Sequence, residues 1–416
     1  MTSKAERTYD IILWGATGFT GRLVAEQLAR RCGVGKDLRW ALAGRSAEKL
    51  AAVRNGLTSI DSGARELPLL LGDSTDRASL DAIVSSARTV VSTVGPYALH
   101  GRSLVASCVE NGTDYCDLTG ETHFVRAMID AHHVRGRETG ARIVHCCGFD
   151  SIPSDLGVLV LQTFAREQYG KPLDEVKFFM GEASGGLSGG TAASALNVFA
   201  EASHDPAIRR ILANPYALDP DRSERGPDGP DPMGVGWNED LRAWTGPFLM
   251  AAINTRIVRR SNALLGYPWG KDFRYSEVAS FGPGAKGWLR AASFTAGFAG
   301  FAAFASLGPT RALLAKSLPA PGEGPSQERR ERGFFVVRLV GKGTGTKGEP
   351  ITLFAEIRAQ GDPGYGATAK MLSEAALCLS KDDLQVAGGV LTPASCMGQR
   401  LVDRLRKVGM TFDLRG

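Results

Sequence analysis

The chain lacks a basic tail and any zinc-finger spacing, and 49 basic against 44 acidic residues leave a net charge of only +5. That balance is too mild to argue for nucleic acid, and no nucleic-acid partner is expected. The six histidines show no spacing suited to a metal, so no metal is expected; the pair His132 and His133 reads as part of a surface helix. The seven cysteines include no C-x-x-C pair, and an odd count without one suggests reduced thiols in a cytosolic setting. Cys146 and Cys147 lie in an apolar strand, where packing explains them. The first ten residues carry Lys4, Glu6, Arg7 and Asp10 and lead straight into an apolar run, leaving no room for a signal peptide. A cytoplasmic location is therefore expected. With 416 residues, 43% of them apolar, the chain is long enough for two domains with a sizeable core.

What is present begins at residue 11. The apolar run Ile11-Ile12-Leu13-Trp14 ends in Gly15-Ala16-Thr17-Gly18-Phe19-Thr20-Gly21, and Leu23, Val24, Gln27 and Leu28 continue with helical spacing. Strand, tight glycine turn and helix form the βα unit that binds dinucleotides. Gly15 permits the sharp turn, Gly18 lets the backbone approach a pyrophosphate, and Gly21 lets the helix pack close to the strand. The free N–H groups at the start of that helix then face the phosphates. A plain strand–helix turn is the competing reading.

The second apolar strand, Leu38 to Ala43, ends in Gly44-Arg45-Ser46. An acid at this tip would bind the two ribose hydroxyls of NAD; a guanidinium and a hydroxyl suit a 2′-phosphate instead, so NADP(H) is favoured. Arg45 as a solvated loop charge is the alternative. Leu67 to Gly72 reads as a third strand, with Asp73 placed to meet the adenine. Thr89 to Val94 reads as a fourth, and Thr93-Val94-Gly95-Pro96-Tyr97 should lie beside the nicotinamide. Ala141 to Gly148 makes a further strand. Strands alternating with helical segments predict an α/β fold with a Rossmann-like, doubly wound parallel sheet over residues 1–150.

From Val176 the character changes. Strands are expected at 176–180, 274–281, 333–342 and 350–360, and helices at 191–202 and 367–379, giving a mixed α+β second domain over 151–393. A last helix, 394–408 within a C-terminal segment 394–416, is expected to pack back on the first domain. Residues 209–240 carry five prolines with several glycines and acids, which reads as a long loop of lid or disordered type. One segment stands apart: no charge falls between Arg290 and Arg311, and Phe294, Phe298, Phe301 and Phe304 share one helical face. A spanning helix needs about twenty apolar residues, and glycine and alanine make this run weakly hydrophobic. A buried or subunit-interface helix (a homodimer), an interfacial helix on a membrane or against a greasy substrate, and a span all stay open for 288–307.

These residues carry a family resemblance over nearly the whole chain. Gly15-Ala-Thr-Gly-Phe-Thr-Gly21, Ala43-Gly-Arg-Ser46, Thr93-Val-Gly-Pro-Tyr97, Thr113-Asp-Tyr-Cys-Asp-Leu-Thr-Gly-Glu121 and Gly148-Phe-Asp-Ser-Ile-Pro-Ser-Asp155 resemble the saccharopine dehydrogenase-like oxidoreductases. So do Asn254 to Asn262, Gly361-Asp-Pro-Gly-Tyr365 and Gly389-Val-Leu-Thr-Pro393. Within that family the chain is most similar to the bacterial trans-acting enoyl reductases that serve polyketide lipid synthesis. The resemblance implies an NADP-type cofactor and reduction of a carrier-bound enoyl lipid intermediate. That reaction needs a hydrogen-bond donor for the thioester oxygen and a proton for the α-carbon. Tyr97 is the first candidate donor; Tyr115, Asp117 and Glu121 follow one strand tip, Asp150 and Ser151 the next. A carboxylate can act only if burial raises its pKa, and each of these side chains can instead cap a helix or tie a loop. Arg256, Arg259 and Arg260 are candidates for a carrier's phosphopantetheine phosphate, or else a solvated charged face. An amino-acid or imine reductase of a small polar substrate, and a non-catalytic lipid-surface protein with a vestigial dinucleotide fold, are the rival readings.

Overall fold

The structure is a computed structural model and describes residues 4–184, 189–317 and 324–415. The glycine- and serine-rich run at 181–190 falls in part, at 185–188, outside the described residues. Residues 9–144 supply six strands: β1 (Tyr9–Trp14), β2 (Trp40–Gly44), β3 (Leu69–Leu71), β4 (Ala87–Ser92), β5 (Asp114–Asp117) and β6 (Arg142–Val144). The remainder supplies β7 (Glu175–Ser184), β8 (Gly236–Asn238), β9 (Ala243–Gly246), β10 (Arg274–Ser280), β11 (Phe334–Thr344), β12 (Pro350–Gln360), β13 (Gly389–Leu391) and β14 (Thr411–Arg415).

The first sheet has the order β13-β6-β5-β4-β1-β2-β3 and is parallel throughout. A parallel sheet is covered by helices on both faces, so the interior strand β1 is a continuous apolar run from Ile11 to Trp14. Ile11 and Leu13 face one core, and Ile12 and Trp14 the other. The second sheet has the order β14-β12-β11-β7-β10-β9-β8, parallel only where β7 meets β10. One face of it meets solvent, and the pattern follows: Ile351, Leu353, Ala355 and Ile357 of β12 are buried, whereas Thr352, Phe354 and Arg358 point out.

The chain does not divide linearly between the two sheets. After β12 the helix Thr368–Lys381 packs against β1, β4 and β5, and β13 joins the first sheet beside β6. Residues 368–391, placed by sequence in the second domain, thus return to the first. The last segment is split between the two. Its helix breaks at Gly398, whose φ of +48° is left-handed; Gly398–Lys407 then packs on the helix Thr368–Lys381 of the first half, as expected, with Arg404 pairing with Glu374 and Asp382, whereas β14 pairs with β12 of the second sheet. No periodicity marks a three-residue edge strand, and both placements depend on contacts with residues more than 50 positions away.

Two readings of the middle of the chain are corrected by one buried cluster. Arg256, Arg259 and Arg260 lie on the helix Ala251–Leu264 and are 3%, 5% and 1% exposed, so they are neither a solvated face nor open to a carrier phosphate. Arg256 pairs with Asp231 and donates to the Leu212 carbonyl. Arg259 donates to Asp228 at 2.7 Å and to the carbonyls of Pro215 and Tyr275. Arg260 donates to the carbonyls of Leu218 and Val390, tying β13 into the same cluster. The proline-rich stretch 209–240 begins in the helix Pro206–Ala213 and ends in β8, and between them these ion pairs pin it down. It is an irregular segment held by buried charge, not a free lid.

Removing one partner of a buried ion pair leaves the other charge uncompensated, which costs about 3–5 kcal/mol. Arg259→Ala is therefore expected to lower unfolding free energy by about that amount in urea denaturation; a loss below about 1 kcal/mol would mean that the cluster does not hold the segment.

Candidate functional site

The C-terminal ends of β1, β2 and β4 open into a cavity of about 1100 Å³. At one end lies the glycine turn. Gly15 has φ of +85°, and a Cβ there would sit 2.4 Å from Val94 Cγ2. A Cβ on Gly21 would sit 2.2 Å from the Gly15 carbonyl oxygen, so only glycine lets the helix Phe19–Cys32 start this close to the strand. Gly18, by contrast, meets nothing nearer than the Gly15 oxygen at 3.4 Å, leaving its outer side clear for a phosphate. Thr93 Oγ1 donates to the Gly15 carbonyl at 3.1 Å and locks the β4 tip to the turn. No side chain caps this helix, so its first N–H groups are free to bind an anion. The cradle fits a dinucleotide pyrophosphate.

Of the residues expected here, Gly15, Thr17, Gly18, Phe19, Thr20, Arg45, Thr93, Val94, Gly95, Tyr97 and Asp150 line the cavity. Ala16 is fully buried behind the turn, and Gly21 serves packing. Pro96 lies off the wall and starts the short helix Tyr97–His100. Ser46 accepts from the Lys49 N–H as a helix cap, and Asp73 accepts from the N–H and hydroxyl of Thr75, so neither faces the cavity. Lys49, which the reading of the β2 tip passed over, does line it beside Arg45. Its position four residues on, in the first turn of the next helix, was the available signal.

The middle of the cavity carries the polar groups. Glu121, 1% exposed, accepts the backbone N–H groups of Tyr97 and Ala98, each at 2.8 Å, and the Ser194 hydroxyl at 2.9 Å. It thereby orients the β4 tip. Tyr97 shows its ring to the cavity while its hydroxyl donates to the Ser92 carbonyl at 3.1 Å, and burial pushes its phenol well above the usual range. Asp150 is the wall carboxyl whose proton affinity is changed most usefully: burial raises it to about 7, with the Asp117 charge adding to the effect.

Tyr115 and Asp117 lie off the wall, fully buried below it. Asp117 accepts from the Tyr115 hydroxyl at 3.0 Å, from the N–H groups of Thr119 and Cys146, and meets His145 Nδ1 at 2.7 Å. This network knots the tips of β5 and β6 beneath the loop that carries Asp150. The far side of the cavity is mostly apolar, built by Val198 and Phe199, Phe248 to Ile253, and Phe298 with Ala302, with Ser203, Arg209, Asp231 and Ser306 among them. Apart from Phe298, these carry no local sequence signal, because they come from separated helices and loops.

The residues 11–144 match the model of the saccharopine dehydrogenase NADP-binding domain. Over 98% of this chain and 97% of the relative, the sequence is 44% identical to a protein of Mycobacterium tuberculosis named as a candidate trans-acting enoyl reductase. It is 41% identical, over 98% of each chain, to a trans-acting enoyl reductase of Mycobacterium ulcerans. Among solved structures it is similar to apo saccharopine dehydrogenase (L-Glu forming) of Saccharomyces cerevisiae, at 13% identity and a TM-score of 0.53 over 98% of this chain and all of that one. That likeness speaks to the fold alone. Within the matched NADP-binding domain, Arg45 and Lys49 are two cations on the cavity wall.

A charge-assisted contact to a phosphate is worth more than a neutral one. Arg45→Ala is expected to raise the Kd for NADPH about 10- to 100-fold in a fluorescence titration while leaving NADH within about twofold. Parallel losses for both coenzymes would show that Arg45 does not read the extra phosphate.

Proposed function

The chain belongs to the family of the trans-acting enoyl reductases and carries a saccharopine dehydrogenase-type NADP-binding domain, and from that premise we propose that it reduces the carbon–carbon double bond of an acyl thioester presented by a separate carrier. The observation that carries this reading is a single cavity running from the glycine turn, past Asp150, to a wall of Phe199, Phe248 and Phe298. An amino-acid substrate would want a carboxylate-binding arginine at that inner end. Of the arginines on the wall, Arg45 sits at the coenzyme end and Arg209 donates to the carbonyls of Ala202 and Ser203. The intact glycine cradle argues against a vestigial fold.

Bound NADPH supplies the hydride for the β-carbon. Asp150 holds the proton for the α-carbon: at neutral pH about half of a carboxyl titrating near 7 is protonated. Tyr97 closes the wall beside it, with its hydroxyl committed to Ser92. Tyr115 and Asp117 act as positioning residues that fix the strand tips under Asp150, and Glu121 does the same for Tyr97. The carrier docks elsewhere than on Arg256, Arg259 and Arg260, which are buried.

Two helices, Gly284–Ser306 and Gly308–Ser317, are bent by 116° at the break between them; no single helix among the described residues is long and apolar enough to cross a membrane. The inner side of the first supplies Phe298 and Ala302 to the cavity. Its outer side and the second helix leave Trp288, Leu289, Phe294, Phe304, Leu307 and Leu313 exposed. Every charge on the pair is basic: Lys286, Arg290, Arg311 and Lys316, with none between 290 and 311. An acidic protein partner would find cations only at the ends, whereas a charge-free centre flanked by cations suits an anionic lipid surface. The enzyme on this reading is cytoplasmic and rests peripherally on a membrane through this pair; a second copy of the chain is the competing occupant.

Asp150→Asn is expected to lower kcat for an enoyl thioester about 100-fold or more, with NADPH affinity retained. Because the acid must be protonated, wild-type kcat is expected to be flat below pH 7 and to fall above it, following the raised value of about 7. Full activity in the Asp150→Asn variant, or a wild-type rate that climbs through pH 8, rules Asp150 out as the acid. Flotation of the protein with phosphatidylcholine vesicles containing phosphatidylglycerol tests the lipid surface. Wild type is expected to float and Trp288→Glu with Leu289→Glu to stay behind; no flotation, joined by a concentration-dependent dimer that the same substitutions abolish, assigns the face to a second copy instead.

A further inference from the structure

The turn Pro363–Ala367 brings one residue of the second half of the chain to the glycine cradle. Asp362 caps this turn, its carboxylate accepting the Tyr365 N–H at 2.6 Å. The Tyr365 ring stands edge-on against Phe19, with centroids 4.6 Å apart and planes at 73°. Phe19 is the first residue of the helix whose free N–H groups receive the pyrophosphate. The Arg330 guanidinium lies over the same Phe19 ring at 5.3 Å, so two residues of the second half of the chain pack on Phe19. Gly364 and Tyr365 both line the cavity at this end.

Tyr365 is 1% exposed, and its hydroxyl has no hydrogen-bond partner among the described residues. A buried donor left unpaired costs stability, so it is retained where a ligand takes it up. Burial pushes this phenol up to about 12, which keeps its proton on at any physiological pH and makes it a donor. The oxygens of a pyrophosphate bridge are acceptors without exception.

We infer that the Tyr365 hydroxyl donates to the pyrophosphate of the bound dinucleotide, a contact made from the far half of the chain onto the mouth of the glycine cradle. The inference rests on the coenzyme reading above and adds a residue to it. The opposite face of that pyrophosphate is served by the helix N–H groups, so the coenzyme is gripped from both halves of the chain. Tyr365→Phe removes one oxygen and keeps the ring packing on Phe19.

The test uses full-length protein and two ligands: NADPH, and adenosine 2′-monophosphate, which keeps the 2′-phosphate but carries neither phosphate of the bridge. Titration of Tyr365→Phe is expected to show a Kd for NADPH about five- to tenfold higher and an unchanged Kd for the 2′-monophosphate. The ligand-free variant is expected to melt at or above the wild-type temperature, since the lost hydroxyl had no partner. An unchanged NADPH Kd, equal weakening of both ligands, or a lowered melting temperature without ligand overturns the inference. Wild-type protein that binds neither ligand overturns the coenzyme reading as a whole, and so is told apart from failure of the Tyr365 contact alone.

Discussion

The closeness of one helix to one strand governs the rest of this molecule. The helix Phe19–Cys32 begins where a Cβ on Gly21 would overlap the Gly15 carbonyl, a contact that any other side chain forbids. That approach points the free helix N–H groups into the crevice above the parallel sheet. It also sets Phe19 where Tyr365 and Arg330 pack on it, so the second half of the chain takes its position from the same turn. Without it there is no anion cradle, and the wall facing the cradle has nothing to close against.

The two sheets are bound together by polar groups sealed away from water. Asp155 accepts from the Ser261 hydroxyl and the Ala394 N–H, and burial raises its carboxyl to about 7. Glu277, raised likewise to about 7, accepts from Asn254 and from the Tyr275 hydroxyl. Arg260 reaches from its helix to the Val390 carbonyl in the first sheet. Buried polar groups of this kind fix geometry because no other arrangement satisfies them as well. They hold the coenzyme end of the cavity and its apolar wall at a fixed distance.

Local pattern made the cradle legible. Alternating apolar runs and glycine spacing marked β1, the turn and the following helix, and the lack of an acid at the β2 tip pointed to the extra phosphate. Asp150 was legible as one acid among several after strand tips; its place on the wall near Glu121, with its raised proton affinity, was not. Tyr115 and Asp117 carried the same local signal and came to rest beneath the wall, since a strand tip can point its side chains up into a crevice or down into the sheet. In sequence, the triple arginine of 256–260 implies an open basic face, because charge ordinarily seeks water. Here Arg256 and Arg259 found carboxylates and carbonyls, and Arg260 carbonyls, supplied by residues 212–231 and by β10 and β13.

Sequence alone determined the α/β class, the βα turn and its preference for a phosphorylated dinucleotide, because each follows from contacts within about 30 residues. Tertiary structure alone decided that β13 completes the first sheet and β14 the second, that Asp150 rather than Tyr115 or Asp117 faces the cavity, and that Tyr365 meets Phe19 from the far half of the chain. Those outcomes depend on which distant groups remain to be buried or paired once the local elements have formed, and a chain read residue by residue carries no record of that competition.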